Sequence, residues 1–164
     1  MRFQAEHQFN GSPGAVAALL VDPEFYQRLA LPDLSQPEVL QSNSDGEHSL
    51  LQLRYEFLGT LDPIARRLLG ENRLTWIQEV RVEHSTGTGD LTYGAAADPT
   101  RLRGSGHFTL KEDDGRCVRR LSGELVVAVP LIGPRAERRI VPGVLRRLDI
   151  EAEAINNSLA GGIS

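Results

Sequence analysis

The sequence contains very little cysteine, tryptophan, methionine or lysine. Of its 164 residues, one is cysteine, one is tryptophan and one is methionine. A single cysteine, Cys117, excludes an internal disulfide and lacks the partners that a thiolate metal site requires. At 40% hydrophobic residues the composition is that of an ordinary globular domain, and the chain is long enough to bury an apolar core.

Long hydrophobic runs and excess positive charge are also missing. No apolar run approaches the roughly 20 residues that span a bilayer, and the first nine residues alternate instead of forming a signal-peptide core. We therefore expect a cytoplasmic protein. The formal net charge of −4 argues against a nucleic-acid partner, because proteins that bind DNA or RNA usually present a basic surface.

The sequence has none of the short motifs that identify common catalytic sites. There is no HExxH or GxSxG, and the glycines of "TGTGDL" and "GSG" precede strands, which is the wrong place for a phosphate loop. The four histidines, which are His7, His48, His84 and His107, are scattered over separate strands. We therefore predict no metal and no cofactor. Whether the protein is an enzyme stays open, with the balance toward a non-enzyme.

Alternating and helical patterns divide the chain into an ordered series of elements. Residues 2–9 alternate as a half-buried strand, and two Pro-initiated helices follow at about 13–20 and 23–30. Three hairpins come next, with turns at Asp45-Gly46, at 86–88 and at 113–115. Their six strands fall within 38–44, 48–59, 73–85, 88–96, 101–112 and 116–129. The segregation of strands and helices predicts an α+β fold.

A long C-terminal helix is predicted over about 134–159. Its apolar positions recur at steps of three and four, which makes one stripe that must lie on a sheet. They are Val141, Leu145, Leu148, Ala152, Ile155 and Leu159. Pro142 lies inside this helix, so we expect a kink or break near 139–143.

Four segments, "MRFQAEHQF", "DPEFYQRLA", "RLTWIQEV" and "VPLIGPRAERRIV", make the chain resemble the START-like, or SRPBCC, superfamily. The resemblance covers nearly the whole chain and is closest to an uncharacterised bacterial branch, a domain of unknown function. It implies a helix-grip fold, in which a curved antiparallel sheet of about seven strands wraps around a long C-terminal helix. Two short helices separate strands 1 and 2. Residues 1–160 would form one domain, with 161–164 a disordered tail.

The superfamily also implies a cavity between sheet and helix, and its members bind lipids and hydrophobic molecules or act as polyketide cyclases and aromatases. Strand parity, meaning the alternation of side chains between the two faces of a strand, supplies an independent argument for this cavity. It places Gly59, Gly104, Gly106 and Gly123 on the concave face, where they would leave space. The alternative is that these glycines let strands bend, or let the helix approach closely.

Strand parity also selects the residues that would line a ligand. The predicted walls are Tyr55, Phe57, Trp76, Gln78, Tyr93, Phe108 and, on the helix, Leu145. His7 shares the inward face of the first strand. We interpret it first as a core histidine satisfied by hydrogen bonds and only weakly as a catalytic acid–base.

Arginines are concentrated near the start of the long helix, where the helix dipole disfavours positive charge. Arg135, Arg138 and Arg139 are either solvated or form a basic rim that attracts the anionic end of an amphiphile. The segment 61–71, which Gly70 could terminate, is predicted as a short amphipathic helix. It would close one end of the sheet, act as a lid, or touch a membrane surface transiently.

Together these observations predict a binding or carrier protein for a hydrophobic or amphipathic small molecule. Two alternatives remain open. One is a cyclase or aromatase-like enzyme that uses a pocket histidine or tyrosine. The other is a non-catalytic interaction scaffold with a filled core. The sequence does not determine the oligomeric state.

Overall fold

A computed structural model describes residues 1–69 and 73–161. The N-terminal part comprises β1 (Arg2–Phe9), α1 (Pro13–Leu20), α2 (Pro23–Arg28), β2 (Glu38–Ser44), β3 (His48–Glu56) and α3 (Pro63–Leu69). The C-terminal part comprises β4 (Thr75–Glu83), β5 (Thr88–Ala95), β6 (Leu102–Asp113), β7 (Arg116–Val127) and α4 (Gly133–Gly161). The predicted end of α3 at Gly70 lies outside the described residues, as do residues 162–164 of the predicted tail.

The seven strands form one antiparallel sheet in the order β1-β7-β6-β5-β4-β3-β2. Each hairpin pairs two strands that are neighbours in sequence. The first strand, β1, lies at the edge opposite β2 and pairs with β7, with Ala5 opposite Leu121. Helix α4 covers the inner face of this curved sheet, and α1 and α2 connect β1 to β2 in the chain. The predicted α+β helix-grip fold is therefore confirmed.

The helix starts follow the predicted signals. Ser12 caps α1 by accepting a hydrogen bond from the Ala15 N–H at 3.1 Å, and Asp22 caps α2 by accepting from the Glu24 N–H at 3.0 Å. Each cap is followed by a proline, whose missing N–H needs no partner in the first turn of a helix. Tyr26, on α2, is fully buried.

Helix α4 runs as one 29-residue helix through Pro142, so the break predicted near 139–143 is wrong. Proline removes a single backbone hydrogen bond, and the turns on either side continue the ladder. The buried stripe contains Val141, Leu148, Ala152 and Ile155, as predicted, and it also contains the charged Glu151. No helix in the described part of the chain is both long and apolar enough to cross a bilayer.

The inner-face glycines do not leave empty space, which corrects the expectation drawn from strand parity. A Cβ on Gly123 would lie 2.6 Å from Cζ of Phe3, and one on Gly104 would lie 3.2 Å from the Tyr93 ring. Gly59 lies beyond the end of β3, where its Cβ would meet Phe57. Aromatic rings from neighbouring elements therefore fill the space that these glycines leave.

We predict that alanine is tolerated at Gly106 and not at Gly123, two residues that face each other across β6 and β7. A Cβ on Gly123 would also lie 2.6 Å from the backbone oxygen of Ser105, which cannot move aside. Gly123→Ala should lower the free energy of unfolding by about 1–3 kcal/mol. Gly106→Ala meets only ordinary contacts at 3.4 Å and beyond, so its effect should stay within about 1 kcal/mol. Urea denaturation of both variants checks this, and equal losses would contradict it.

Candidate functional site: a polar layer between the sheet and helix α4

Helix α4 does not cover the sheet evenly. Its backbone lies close to β1 and β7, whereas it approaches β3, β4 and β5 less closely. The space on that second side is occupied by large side chains from the inner face of the sheet and by residues of α4. The residues that sequence parity selected as ligand walls come mainly from this side.

Tyr55, Trp76, Gln78 and Tyr93 lie together on the inner face of three neighbouring strands. Tyr55 is opposite Trp76 across β3 and β4, with their rings stacked at a centroid distance of 5.8 Å. Gln78 is opposite Tyr93 across β4 and β5. Gln78 and Tyr55 are almost completely buried, while Trp76 and Tyr93 are partly buried against the core.

The other three predicted wall residues have different surroundings. Phe108 is buried in the core and its ring covers Gly89. Leu145 is partly buried against the core from the helix side. Phe57 follows the end of β3, forms an isolated bridge with Leu34 and is not part of the core cluster. The structure thus separates Phe57 from the other selected residues, because β3 ends at Glu56, three residues before the predicted end at residue 59.

Arg147 of α4 reaches into this aromatic group. The carbon of its guanidinium lies 4.6 Å from the centroid of the Tyr55 ring and 5.8 Å from that of Tyr93. Its Nε and Nη2 atoms are shielded from solvent and have no hydrogen-bond partner among the described residues. The Tyr55 hydroxyl and the Gln78 Oε1 atom are likewise buried and unpartnered.

A buried ion pair joins the last strand to the last helix. Nη1 of Arg119 on β7 donates to Oε1 of Glu151 on α4 at 2.6 Å, and both side chains are less than 10% exposed. The Tyr26 hydroxyl donates to the second carboxylate oxygen at 3.1 Å. Burial, and then the Glu151 charge, raise the pKa of Tyr26 well above its ordinary value.

His7 extends this network toward the surface. Nη2 of Arg119 lies 3.1 Å from His7 Nδ1, and His7 Nε2 lies 2.8 Å from Oδ1 of the exposed Asp149. A guanidinium can only donate, so Nδ1 accepts and the ring proton is on Nε2. Both ring nitrogens are therefore engaged with protein groups, which agrees with a histidine satisfied by hydrogen bonds.

The three arginines of the predicted basic rim are exposed on the first turns of α4. Nη1 of Arg139 lies 3.3 Å from Oδ2 of Asp62, the residue that caps α3 by accepting from the Ala65 N–H. Arg135 and Arg138 face solvent. Glu137, between them, accepts from the Val127 N–H at 3.0 Å and pairs with the chain's amino terminus at 3.2 Å.

Two grooves open on the outer face of the sheet, away from α4. One is lined by polar residues such as Glu79, Arg81, Asp90 and His107, and the other lies beside Asp45 and His48. Neither includes a residue selected from the sequence as a ligand wall. Within residues 1–69 and 73–161, no group of three or more His, Cys, Asp and Glu side chains could hold a metal ion.

The sequence interpretation missed Tyr26, Arg119, Arg147 and Glu151. A signal for three of them was present. Arg119 shares parity with the buried Leu121, and Arg147 and Glu151 are four residues apart along the helical stripe. Charged residues at such positions are usually assigned to the surface. Nothing in the pattern around Tyr26 indicated that its hydroxyl would meet Glu151.

Comparison with known proteins shows the family and the fold. The chain belongs to the family described as "Protein of unknown function (DUF2505)", whose sequence model matches residues 4–159. Comparison with curated proteins found no match. The sequence-based resemblance to an uncharacterised family with a START-like fold is confirmed.

Three solved structures illustrate the likeness in fold. TTHA0849 from Thermus thermophilus has a TM-score of 0.70 at 12% identity, with both chains fully covered. An aromatase/cyclase, Zhui, from a Streptomyces species has a TM-score of 0.64 at 14% identity, covering 96% of this chain and 92% of that one. A START superfamily protein from Mycobacterium smegmatis has a TM-score of 0.60 at 13% identity, covering 99% of each chain.

We predict that breaking the buried ion pair from either side is strongly destabilising. Glu151→Gln leaves the buried Arg119 guanidinium without a carboxylate, and Arg119→Met leaves the buried Glu151 carboxylate without its cation. Each variant should therefore lower the free energy of unfolding by about 3–5 kcal/mol. The double variant should lose less than the sum of the two. Glu153→Gln, an exposed position on the same helix, should change stability by no more than about 0.5 kcal/mol. Denaturant titration measures all four, and additive losses would argue against a coupled pair.

We also predict that the folded protein has no normally titrating tyrosine. The three tyrosines are Tyr26, Tyr55 and Tyr93. Burial raises the pKa of Tyr55, raises that of Tyr93 to about 12 and raises that of Tyr26 well above its ordinary value. Ultraviolet absorbance should show no ionisation near pH 10 until the protein unfolds.

These raised tyrosine pKa values should make the free energy of unfolding depend on pH in the alkaline range. Below pH 10 both states are protonated, and between pH 10 and about 12 only the unfolded chain releases its protons. The free energy of unfolding should therefore fall with rising pH, by about 1.4 kcal/mol per pH unit for each tyrosine that stays protonated. A folded-state transition near pH 10 would contradict the burial of these hydroxyls.

Proposed function

We propose that the protein binds a hydrophobic or amphipathic small molecule between the inner face of β3–β5 and helix α4. One observation carries the proposal: several buried polar atoms between the sheet and α4 make no hydrogen bond to any described residue. They are the Tyr55 hydroxyl, Gln78 Oε1, Arg119 Nε, and Nε and Nη2 of Arg147. Native proteins rarely leave such groups unsatisfied, because each costs about 1–3 kcal/mol.

The surroundings of these atoms suit an amphipathic molecule. Tyr55, Trp76 and Tyr93 provide aromatic surface, and Leu145 closes the space from the helix side. A few polar groups in an otherwise apolar enclosure are typical of sites for small organic molecules. Because side chains already fill the space over the glycines, a ligand would enter by moving α4 relative to β3–β5, where the contact is weaker.

The connection between the short helix α3 and α4 suggests where this movement of α4 would open a route for the ligand. Asp62 joins the start of α3 to α4 through Arg139, so the two helices share one ion pair. Leu58 and Leu131 lie just before α3 and α4 and are 61% and 100% exposed. In this proposal α3 acts as a lid, and the exposed leucines touch a membrane surface transiently during ligand exchange. A cytoplasmic location fits the same proposal.

Catalysis of the aromatase/cyclase type is the second candidate. The fold neighbour Zhui carries that description, and the buried Tyr55 hydroxyl has no hydrogen-bond partner among the described residues. His7, the weak catalytic candidate, has both ring nitrogens occupied. Tyr55→Phe separates the two functions, because it would abolish turnover in a cyclase and only weaken retention in a carrier.

The binding proposal is tested with Nile red, a neutral apolar dye, and with native mass spectrometry of the purified protein. We expect one dye molecule per chain with enhanced fluorescence. Leu145→Trp should weaken dye binding at least about tenfold by filling the space, as overpacking excludes a guest. Arg146→Trp adds the same ring at the neighbouring exposed position and should leave binding unchanged.

Two outcomes would overturn the proposal. Equal dye affinity in the Leu145→Trp and Arg146→Trp variants would mean that the dye binds elsewhere. A protein that carries no copurified molecule and does not enhance dye fluorescence has a filled core, and the interaction-scaffold interpretation would replace a carrier function.

A further inference from the structure

Arg147 presents the edge of its guanidinium that binds carboxylates. Its ring contacts with Tyr55 and Tyr93 fix the plane of the group. The two unpartnered atoms, Nε and Nη2, lie on the same edge of that plane, and their N–H bonds point in parallel. Two parallel donors are the arrangement that holds both oxygens of a carboxylate at once.

Within the described residues, the charge of Arg147 is compensated only at a distance, by the electrostatic effect of Glu151 and the neighbouring tyrosines. It forms no ion pair, and the carboxylate one turn further along α4, Glu151, already accepts from Arg119 and Tyr26. A water molecule could satisfy the Tyr55 hydroxyl or the Gln78 amide, but it could not neutralise a buried guanidinium. Burying a charge without a partner is far more costly than burying a neutral polar group.

We infer that the free edge of Arg147 binds the carboxylate of an amphipathic acid whose apolar part lies among Tyr55, Trp76 and Leu145. This inference rests on the proposed binding function and specifies its ligand class. The Tyr55 hydroxyl is also buried and has no hydrogen-bond partner among the described residues. The basic rim has a different role in this arrangement, because its arginines are exposed and Arg139 already pairs with Asp62.

The test compares decanoate with decanol, which share an apolar chain and differ in the charged end. Both are titrated into the wild type by displacement of bound Nile red. The wild type should bind decanoate about 10- to 100-fold more tightly than decanol, the range expected for charge-assisted hydrogen bonds. Arg147→Met, which keeps a long apolar side chain, should bind the two equally.

Two controls separate this role from structural effects. The triple variant Arg135→Met, Arg138→Met, Arg139→Met removes the basic rim and should keep the preference for decanoate. In the absence of any ligand, Arg147→Met should still unfold in one cooperative thermal transition, because methionine keeps a long apolar side chain at this position. A folded Arg147→Met variant that still binds decanol shows that the site itself is intact.

The outcomes distinguish this inference from the proposed function. If decanol binds but the wild type shows no preference for decanoate, or Arg147→Met retains the preference, the carboxylate site is wrong and the binding function stands. If the triple variant loses the preference, the basic rim is the anion site and the inference about Arg147 is overturned. If neither decanoate nor decanol displaces Nile red, and Nile red itself does not bind, both proposals fail together.

Discussion

The ion pair between Arg119 and Glu151 determines how the C-terminal helix lies on the sheet. Two charges buried in an apolar interior are tolerated only when they meet with good geometry, so β7 and α4 have one acceptable register. Tyr26 from α2 and His7 from β1 are attached to the same pair through hydrogen bonds. Four elements that are distant in sequence are thereby fixed at a single point of the core.

Further contacts keep α4 in place on this side of the sheet. Asn156 accepts from the Asn10 N–H at 2.9 Å and donates to the Gln8 carbonyl at 3.0 Å. At the opposite end of the helix, Glu137 pairs with the amino terminus and with the backbone of Val127. Helix α4 is thus held along the β1 and β7 side for most of its length.

The side of α4 that faces β3, β4 and β5 has no comparable connections. Contact there is made by aromatic rings, by Leu145 and by the guanidinium of Arg147, none of which forms a hydrogen bond across the gap in the described residues. The structure therefore combines a rigid attachment on one side with an apolar, weakly fixed contact on the other. Such an asymmetry suits a protein that must take up a ligand without unfolding, since regions with few specific contacts open most readily.

Strand alternation and helical periodicity were sufficient to predict the order of the elements, the antiparallel sheet and the buried stripe of α4. They also placed Tyr55, Gln78 and Tyr93 on the inner face, because parity depends only on local geometry. Parity alone did not show what occupies the space above a glycine. Phe3 fills the position over Gly123 from a strand more than a hundred residues away, so that filling depends on the sheet order.

The sequence by itself determined which face of each strand and helix is buried, because side-chain direction repeats every two residues in a strand and about every 3.6 in a helix. Only the tertiary structure decided which buried charges are paired. Arg119, Glu151 and Arg147 look alike in the sequence as charges at core positions. Long-range packing gives Arg119 a carboxylate and gives Arg147 two aromatic rings and an unoccupied hydrogen-bonding edge. That difference arises because partners across a core are set by the meeting of distant segments, which no local pattern encodes.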